Sequence, residues 1–183
     1  KYSEAIADYT KAIELNPTFA YAYNNRGYAQ YSLAKYSEAI VDYTKAIELN
    51  PTHANAYNNR GNAQNSLGKY NEAIADYTKA IELNPTDADA YYNRGIAQNS
   101  LGKYNEAIAD FTKAIELNPT YADAYTGRGV ARANLGKYNE AITDFTKAIE
   151  LNPIDADAYY NRGVANRNLG KYNEAIADYT KAI

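Results

Sequence analysis

The chain has 183 residues, long enough for an ordinary domain with a sizeable core, and a formal net charge of −3. This weakly acidic balance gives no basic surface for nucleic acid, and no apolar run approaches the roughly 18–20 residues that cross a bilayer. Cysteine is absent and His53 is the only histidine, which excludes disulfides, thiolate metal sites and histidine clusters. We therefore expect no cofactors or metals and no nucleic-acid or membrane partners. Composition does not identify the compartment, for which a cytoplasmic location is the leading expectation.

One sequence unit recurs along the whole chain at an interval of 34 residues, as from Lys1 to Lys35. The motif Lys-Tyr-(Ser/Asn)-Glu-Ala-Ile begins six times, at Lys1, Lys35, Lys69, Lys103, Lys137 and Lys171. The five prolines keep the same interval, and so do Gly27, Gly61, Gly95, Gly129 and Gly163. A constant period of this length indicates an array in which each repeat packs on its neighbours.

Each period predicts two helices, and the period that contains Ala88 illustrates both. The first helix runs from about Ala88 to Leu101, and Gly102 follows as a left-handed stop. The second begins near Asn105, a good N-cap, and carries apolar residues at spacings of three and four. It ends before Pro119, because proline disfavours helix in its predecessor and cannot continue the hydrogen-bond ladder. No segment shows the alternation that is typical of a strand.

A string of residues in each repeat carries a family resemblance. Ala88-Asp89-Ala90-Tyr91-Tyr92-Asn93-Arg94-Gly95, followed by Gly102, Tyr104, Ala107, Phe111, Ala114 and Pro119, resembles a tetratricopeptide repeat. The resemblance covers essentially the whole chain and implies an all-α fold, a right-handed superhelical solenoid of antiparallel helix pairs, with the first helices on its concave face. It also implies repeats at 1–19 (second helix only), 20–53, 54–87, 88–121, 122–155 and 156–183, which form one array over residues 1–183.

Arginine precedes the repeat glycine where the family usually has an apolar residue, at Arg26, Arg60, Arg94, Arg128 and Arg162. Aspartate recurs in the second helix, at Asp8, Asp42, Asp76, Asp110, Asp144 and Asp178. We expect Arg–Asp pairs, within or between repeats, that fix the orientation of the helices. The alternative is a solvated surface pair worth about 0–1 kcal/mol.

Variation between the copies is concentrated on the first helix, whereas the exposed residues of the second helix are nearly fixed. Four variable sets lie at spacings of three and four and so share one helical face. The sets are Tyr21, Asn55, Asp89, Asp123 and Asp157; Asn24, Asn58, Tyr92, Thr126 and Tyr160; Tyr28, Asn62, Ile96, Val130 and Val164; and Tyr31, Asn65, Asn99, Ala133 and Arg167. We interpret this face as ligand-facing. The alternatives are drift at tolerant positions, and recent duplication or consensus design that froze the remaining positions.

A ladder of carboxamides lies beside these sets, at Asn25, Asn59, Asn93 and Asn161, with Gly127 interrupting it. A carboxamide carries both donors and an acceptor, so it can pair with the N–H and C=O groups of an extended peptide. Family members that thread peptides, including the transferase that adds N-acetylglucosamine to Ser/Thr, are similar at this position. The alternative is a local helix hydrogen bond or hydration. The lysines of the family's carboxylate clamp are missing.

Two further groups bear on the ligand. Asp89, Asp123 and Asp157 make the C-terminal half acidic and favour a basic or neutral segment, unless Asp89 forms a capping pair with Thr86. Tyr21, Tyr28 and Tyr31, together with Asn24, predict an aromatic floor for a partner's side chains, with drift as the alternative.

The sequence contains no converging set of reactive groups, so we expect no enzymatic activity. The leading interpretation is a scaffold that binds an extended peptide or partner segment of another protein on the concave face. The alternative is a structural, self-associating array, because both terminal helices lack a polar capping helix. A regulatory role beside a separate catalytic domain also stays open.

Overall fold

The computed structural model describes every residue from Lys1 to Ile183, and all of its regular structure is helical. The eleven helices are α1 (Tyr2–Leu15), α2 (Ala20–Ser32), α3 (Tyr36–Leu49), α4 (Ala54–Ser66), α5 (Tyr70–Leu83), α6 (Ala88–Ser100), α7 (Tyr104–Leu117), α8 (Ala122–Asn134), α9 (Tyr138–Leu151), α10 (Ala156–Asn168) and α11 (Tyr172–Lys181). The even-numbered helices are the first helices of the repeats, and the odd-numbered ones are the second helices. No helix has the length and apolar character that a bilayer crossing requires.

The chain divides into two compact units, Lys1–Asn93 and Arg94–Ile183, and the boundary lies within α6. In the first unit, each helix from α1 to α5 packs on the next one along the chain. In the second unit, the same holds from α7 to α11. Consecutive helices joined by short turns pack antiparallel, so the expected all-α fold of stacked helix pairs is confirmed.

The helix ends follow from turn chemistry at two kinds of position. The left-handed stop is confirmed at Gly102, which has φ +73°. In the first full repeat, Ala34 occupies the equivalent position with φ 57°. The Asn-Pro turn is closed by its asparagine, since Oδ1 of Asn50 accepts hydrogen bonds from the backbone N–H and hydroxyl of Thr52. The expected cap at Asn105 is wrong: α7 begins one residue earlier, at Tyr104, and its N-cap makes no side-chain hydrogen bond.

The core is built from alanines that let an aromatic ring lie against a backbone. Ala39, Tyr43 and Ala63 form one buried cluster, in which α3 meets both α2 and α4. A Cβ atom added to Gly27 would lie 2.8 Å from Cε1 of Tyr43, so this contact requires glycine. The same closeness recurs at Gly61, where the corresponding distance to Cε1 of Tyr77 is 2.7 Å.

The expected Arg–Asp pairs are confirmed, and they lie within each repeat. Nε and Nη2 of Arg26 donate to the two carboxylate oxygens of Asp42 at 2.7 Å each. Nη1 of Arg26 donates to the hydroxyl of Thr10 on the preceding second helix, and the guanidinium lies 5.6 Å from the ring centre of Tyr23. One arginine thereby joins three consecutive helices. The other pairs are Arg60–Asp76, Arg94–Asp110, Arg128–Asp144 and Arg162–Asp178.

The terminal second helices are covered on one side only. Helix α1 contributes no buried residue. At the other end, Tyr172 and Ile176 of α11 are 66% and 63% exposed. Their counterparts on α9, Tyr138 and Ile142, are partly buried against a core cluster that includes Ala165 of α10. In the structure, α11 packs against α10 and no helix lies on its other side.

Candidate interaction surface

The variable side chains of the first helices include the most exposed aromatic residues of these helices. We call the residues of the four variable sets, together with the carboxamide ladder, the first-helix face. In the first unit, Tyr21 and Tyr28 are 56% and 52% exposed, and Asn55 is exposed as well. In the second unit, Asp123, Asp157 and Tyr160 are exposed. The half-buried members are Asn25, Tyr31, Asn58, Asn59, Asn62, Tyr92, Asn93 and Asn161.

Asparagines of the first unit bond to one another across adjacent repeats. Nδ2 of Asn59 donates to Oδ1 of Asn24 at 3.1 Å, and Nδ2 of Asn93 donates to Oδ1 of Asn58 at 3.2 Å. Asn24 also donates to Oδ1 of Asn25. Only 8% of Asn24 is exposed, so this residue supports the surface from below instead of lying on it. The ladder therefore uses part of its hydrogen-bonding capacity inside the protein.

The ladder has a different arrangement in the second unit. Nδ2 of Asn161 donates to the backbone carbonyl of Asp157, one turn earlier in its own helix, at 2.8 Å. The preceding rung is Gly127, where an added Cβ would lie 2.8 Å from Cε1 of Phe111. Beside it, the hydroxyl of Thr126 is buried without a partner. No carboxamide pair of the Asn24–Asn59 type is present here.

The three tyrosines of the expected aromatic floor have different environments. The ring of Tyr21 lies 4.9 Å from that of His53, centre to centre, and the ring of Tyr31 lies 5.3 Å from that of Tyr36. Tyr28 extends into solvent. Burial lowers the pKa of His53. Sequence reasoning missed the His53 stack, because His53 stands in the turn before α4 and its distance in sequence from Tyr21 does not show that the two rings meet.

The acidic residues of the first-helix face are exposed, and aspartates cap two of the three helices that carry them, α6 and α10. Oδ1 of Asp155 accepts hydrogen bonds from the backbone N–H groups of Asp157 and Ala158. Oδ1 of Asp87 does the same for α6. The expected capping pair of Thr86 and Asp89 is wrong, because both hydrogen bonds of Thr86 go to Asn84.

A groove on the second-helix side was not anticipated. It has a volume of about 460 Å³ and lies between α2 and α3, with Tyr23 and Arg26 on one wall and Val41 and Lys45 on the other. The only sequence signal was Val41 itself, because the other repeats have alanine or threonine at this position. No group of three or more His, Cys, Asp or Glu residues is arranged to hold a metal ion.

Family profiles match along the chain. A profile described as Tetratricopeptide repeat matches residues 20–53, 54–87 and 88–121, and a second one of this description matches 111–143. A profile described as TPR repeat matches residues 1–34 and 131–170. No curated protein sequence matches the chain.

Solved structures share this fold over most of their length. The crystal structure of YrrB, described as a TPR protein with an unusual peptide-binding site, is 32% identical with a TM-score of 0.78, and the match covers 96% of this chain and 90% of YrrB. A crystal structure of MamA is 30% identical with a TM-score of 0.79, covering 85% and 91%. A tetratricopeptide repeat protein from Parabacteroides merdae is 27% identical with a TM-score of 0.84, covering 98% and 72%.

Proposed function

The chain belongs to the tetratricopeptide repeat family and is a protein-interaction scaffold, and we propose that its first-helix face holds an extended segment of a partner protein. The proposal rests on which exposed residues differ from one repeat to the next. Most exposed second-helix residues are the same from repeat to repeat, as in the ion pairs Lys45–Glu48 and Lys79–Glu82, and the position of Val41 is an exception. On the first-helix face, the residue in the Tyr21 position is tyrosine, asparagine or aspartate. A surface that only needed to stay soluble would not concentrate its variation on one face.

Amide groups supply the sequence-independent part of recognition. Asn59 and Asn93 each commit one N–H to a neighbouring asparagine. Each keeps its Oδ1 and a second N–H, which together match one N–H and one C=O of an extended backbone. Each such hydrogen bond contributes about 0.5–1.5 kcal/mol. The internal bonds also hold the carboxamides in place, which lowers the entropy lost on binding.

Charge selects the class of segment. None of the first helices contains lysine, and the five repeat arginines are held in ion pairs with aspartate. Among the residues of the face itself, Arg167 is the only cation. The exposed charges at the start of the later first helices are the carboxylates of Asp89, Asp123 and Asp157. A neutral or basic segment fits this face, and an acidic one would be repelled. YrrB, whose description names a peptide-binding site, supports a peptide as the ligand.

A peptide array tests the proposal with two matched triple variants. Asn59, Asn93 and Asn161 are changed to alanine in one variant, and the exposed second-helix residues Asn71, Asn105 and Asn139 in the other. We expect the chain to bind neutral and basic peptides, the first variant to lose this binding, and the second to keep it. Thermal melts monitor folding, because Asn59 and Asn93 make internal bonds. Equal binding by both variants would refute a role for the ladder.

The open face of α11 favours a second candidate, a self-associating array. Tyr172 and Ile176 form an exposed apolar surface, and surfaces of this kind promote association. Light scattering at rising concentration would then show oligomers, which the exchange of Ile176 for asparagine would disperse. A monomer at every concentration would exclude this candidate.

A further inference from the structure

Helix α4 of the first unit carries two carboxamides whose oxygens are bound inside the protein. Oδ1 of Asn58 accepts a hydrogen bond from Nδ2 of Asn93 at 3.2 Å, and Oδ1 of Asn62 accepts one from the hydroxyl of Tyr77 at 2.8 Å. The Nδ2 groups of Asn58 and Asn62 have no acceptor in the protein, and neither group is buried. Because each oxygen is held inward, both side chains present their hydrogen-bond donors to solvent.

This pair of outward donors occurs on one first helix only, and that helix packs on both α3 and α5. Asn58 and Asn62 are four residues apart, so they are neighbours on one face of α4, with Cβ atoms about 5–6 Å apart. Asn24 differs from its counterpart Asn58, because its Nδ2 donates to Asn25. The corresponding pairs on the other first helices are Asn24 and Tyr28, Tyr92 and Ile96, Thr126 and Val130, and Tyr160 and Val164.

The two donors fit an uncharged acceptor. The arginine of the same helix, Arg60, donates to both carboxylate oxygens of Asp76, and α4 contains no lysine. A carboxylate bound at Asn58 and Asn62 would therefore lose water without gaining a cation, and such a transfer is costly. Carbonyl oxygens carry no net charge. Along one edge of an extended backbone they recur about every 6.6 Å, which is close to the separation of the two asparagines.

We propose that Asn58 and Asn62 bind backbone carbonyls of the partner segment, and that Tyr77 and Asn93 are positioning residues that hold these donors outward. The inference rests on the proposed function and adds that the stretch of the segment at α4 is uncharged. Asn59, on the same helix, keeps its Oδ1 for a backbone N–H. Helix α4 thus offers both kinds of polar contact that an extended backbone makes, and the buried hydroxyl of Tyr77 serves recognition as well as packing.

Substitutions of nearly equal size separate the outward donors from the internal bonds. In Asn58→Asp and Asn62→Asp, the carboxylate still accepts the internal hydrogen bond, but the outward N–H groups are lost. Asn71→Asp is the control for charge, because it adds a carboxylate at an exposed position of α5. Tyr77→Phe removes only the positioning hydroxyl. Its control is Tyr43→Phe, which changes an equally buried ring in the preceding repeat, where no asparagine takes the place of Asn62.

An array of terminally blocked peptides of uncharged residues provides the probe, and fluorescence anisotropy measures the affinity of the strongest binder. We expect Asn58→Asp and Asn62→Asp each to weaken binding about tenfold, and Tyr77→Phe about three- to tenfold. Asn71→Asp and Tyr43→Phe should bind like the parent chain. Tyr77→Phe should add little to the effect of Asn62→Asp, because it acts through that side chain. Urea unfolding checks that every variant is folded.

Three results would overturn the proposal, and they differ in what they mean for the face. If the parent chain and all these variants bind equally while the triple alanine variant of the ladder does not, the face binds peptides without the two donors. If no peptide binds the parent chain, the proposed function fails together with this inference. Equal losses in Tyr77→Phe and Tyr43→Phe would show that the hydroxyl of Tyr77 has no positioning role.

Discussion

The contribution of the buried Arg60–Asp76 pair to stability can be tested sharply, because the chain contains an unpaired repeat aspartate, Asp8, as a control. The side chains of Arg60 and Asp76 are 19% and 8% exposed, and two bonds of 2.7 Å join them. Asp76→Asn keeps the shape but removes the negative charge, which leaves the guanidinium buried with only the Thr44 hydroxyl at 3.1 Å as a further acceptor. Breaking a buried pair on one side costs about 3–5 kcal/mol.

Urea unfolding followed by circular dichroism measures this loss. We expect Asp76→Asn to lower the unfolding midpoint strongly, and Asp8→Asn to leave it unchanged, because Asp8 is exposed and unpaired. Replacing both partners, with Arg60→Met and Asp76→Leu, should recover most of the stability, since an apolar pair of similar volume is often as stable as a buried ion pair. If Asp76→Asn and Asp8→Asn had equal small effects, the pair would be a solvated surface contact and the reasoning would fail.

Other substitutions test local features of the repeats. Ala34→Gly should stabilise the chain by about 1 kcal/mol in the same urea experiment, because Ala34 is held at φ 57°, where glycine has no steric cost. Burial lowers the pKa of His53, so the unfolded chain binds a proton more readily and the unfolding free energy should fall as the pH drops below about 6.5. His53→Phe should remove this fall, and equal pH profiles would contradict it. Asn62→Ile should cost about 1–3 kcal/mol, because Oδ1 of Asn62 accepts the hydrogen bond of the buried Tyr77 hydroxyl at 2.8 Å. Adding Tyr77→Phe should restore most of this loss, and a double variant as unstable as Asn62→Ile would show that the hydroxyl is not the cause.

The sequence was sufficient to predict the helices and the Arg–Asp pairs for a physical reason. The second-helix motif recurs six times and the repeat arginine five times, which leaves an unambiguous pattern, and a buried charge requires a partner of opposite sign. Arg26 and Asp42 are also the only residues of their charges near the core of that repeat, so little choice remained. The left-handed helix stop at Gly102 was likewise predictable from local turn chemistry.

The polar contacts between repeats were not predictable in this way. A carboxamide can pair with water, a helix carbonyl, a ligand or another carboxamide, and the spacing of residues does not distinguish these partners. The bond from Asn59 to Asn24 joins residues 35 apart and depends on how two first helices are packed. The prediction of the helix cap was wrong for a related reason. Thr86 and Asp87 are both candidates for capping α6, and the asparagine of the turn binds the threonine, so that the aspartate forms the cap.

The variable set of the first-helix face that contains Asn62 can be explained by the packing of the core as readily as by a ligand. A buried phenol needs a hydrogen-bond partner, and Asn62 provides one for Tyr77. Where the core ring is Phe111 or Phe145, which have no hydroxyl, the position of Asn62 is taken by Ile96 or Val130. Polar residues thus accompany tyrosine and apolar residues accompany phenylalanine in these three repeats, whereas the last repeat combines Val164 with Tyr179. Variation at this position is therefore not by itself evidence of a ligand, and the case for the binding face depends on the Tyr21 set, whose members are exposed and where no such correspondence with the core is needed.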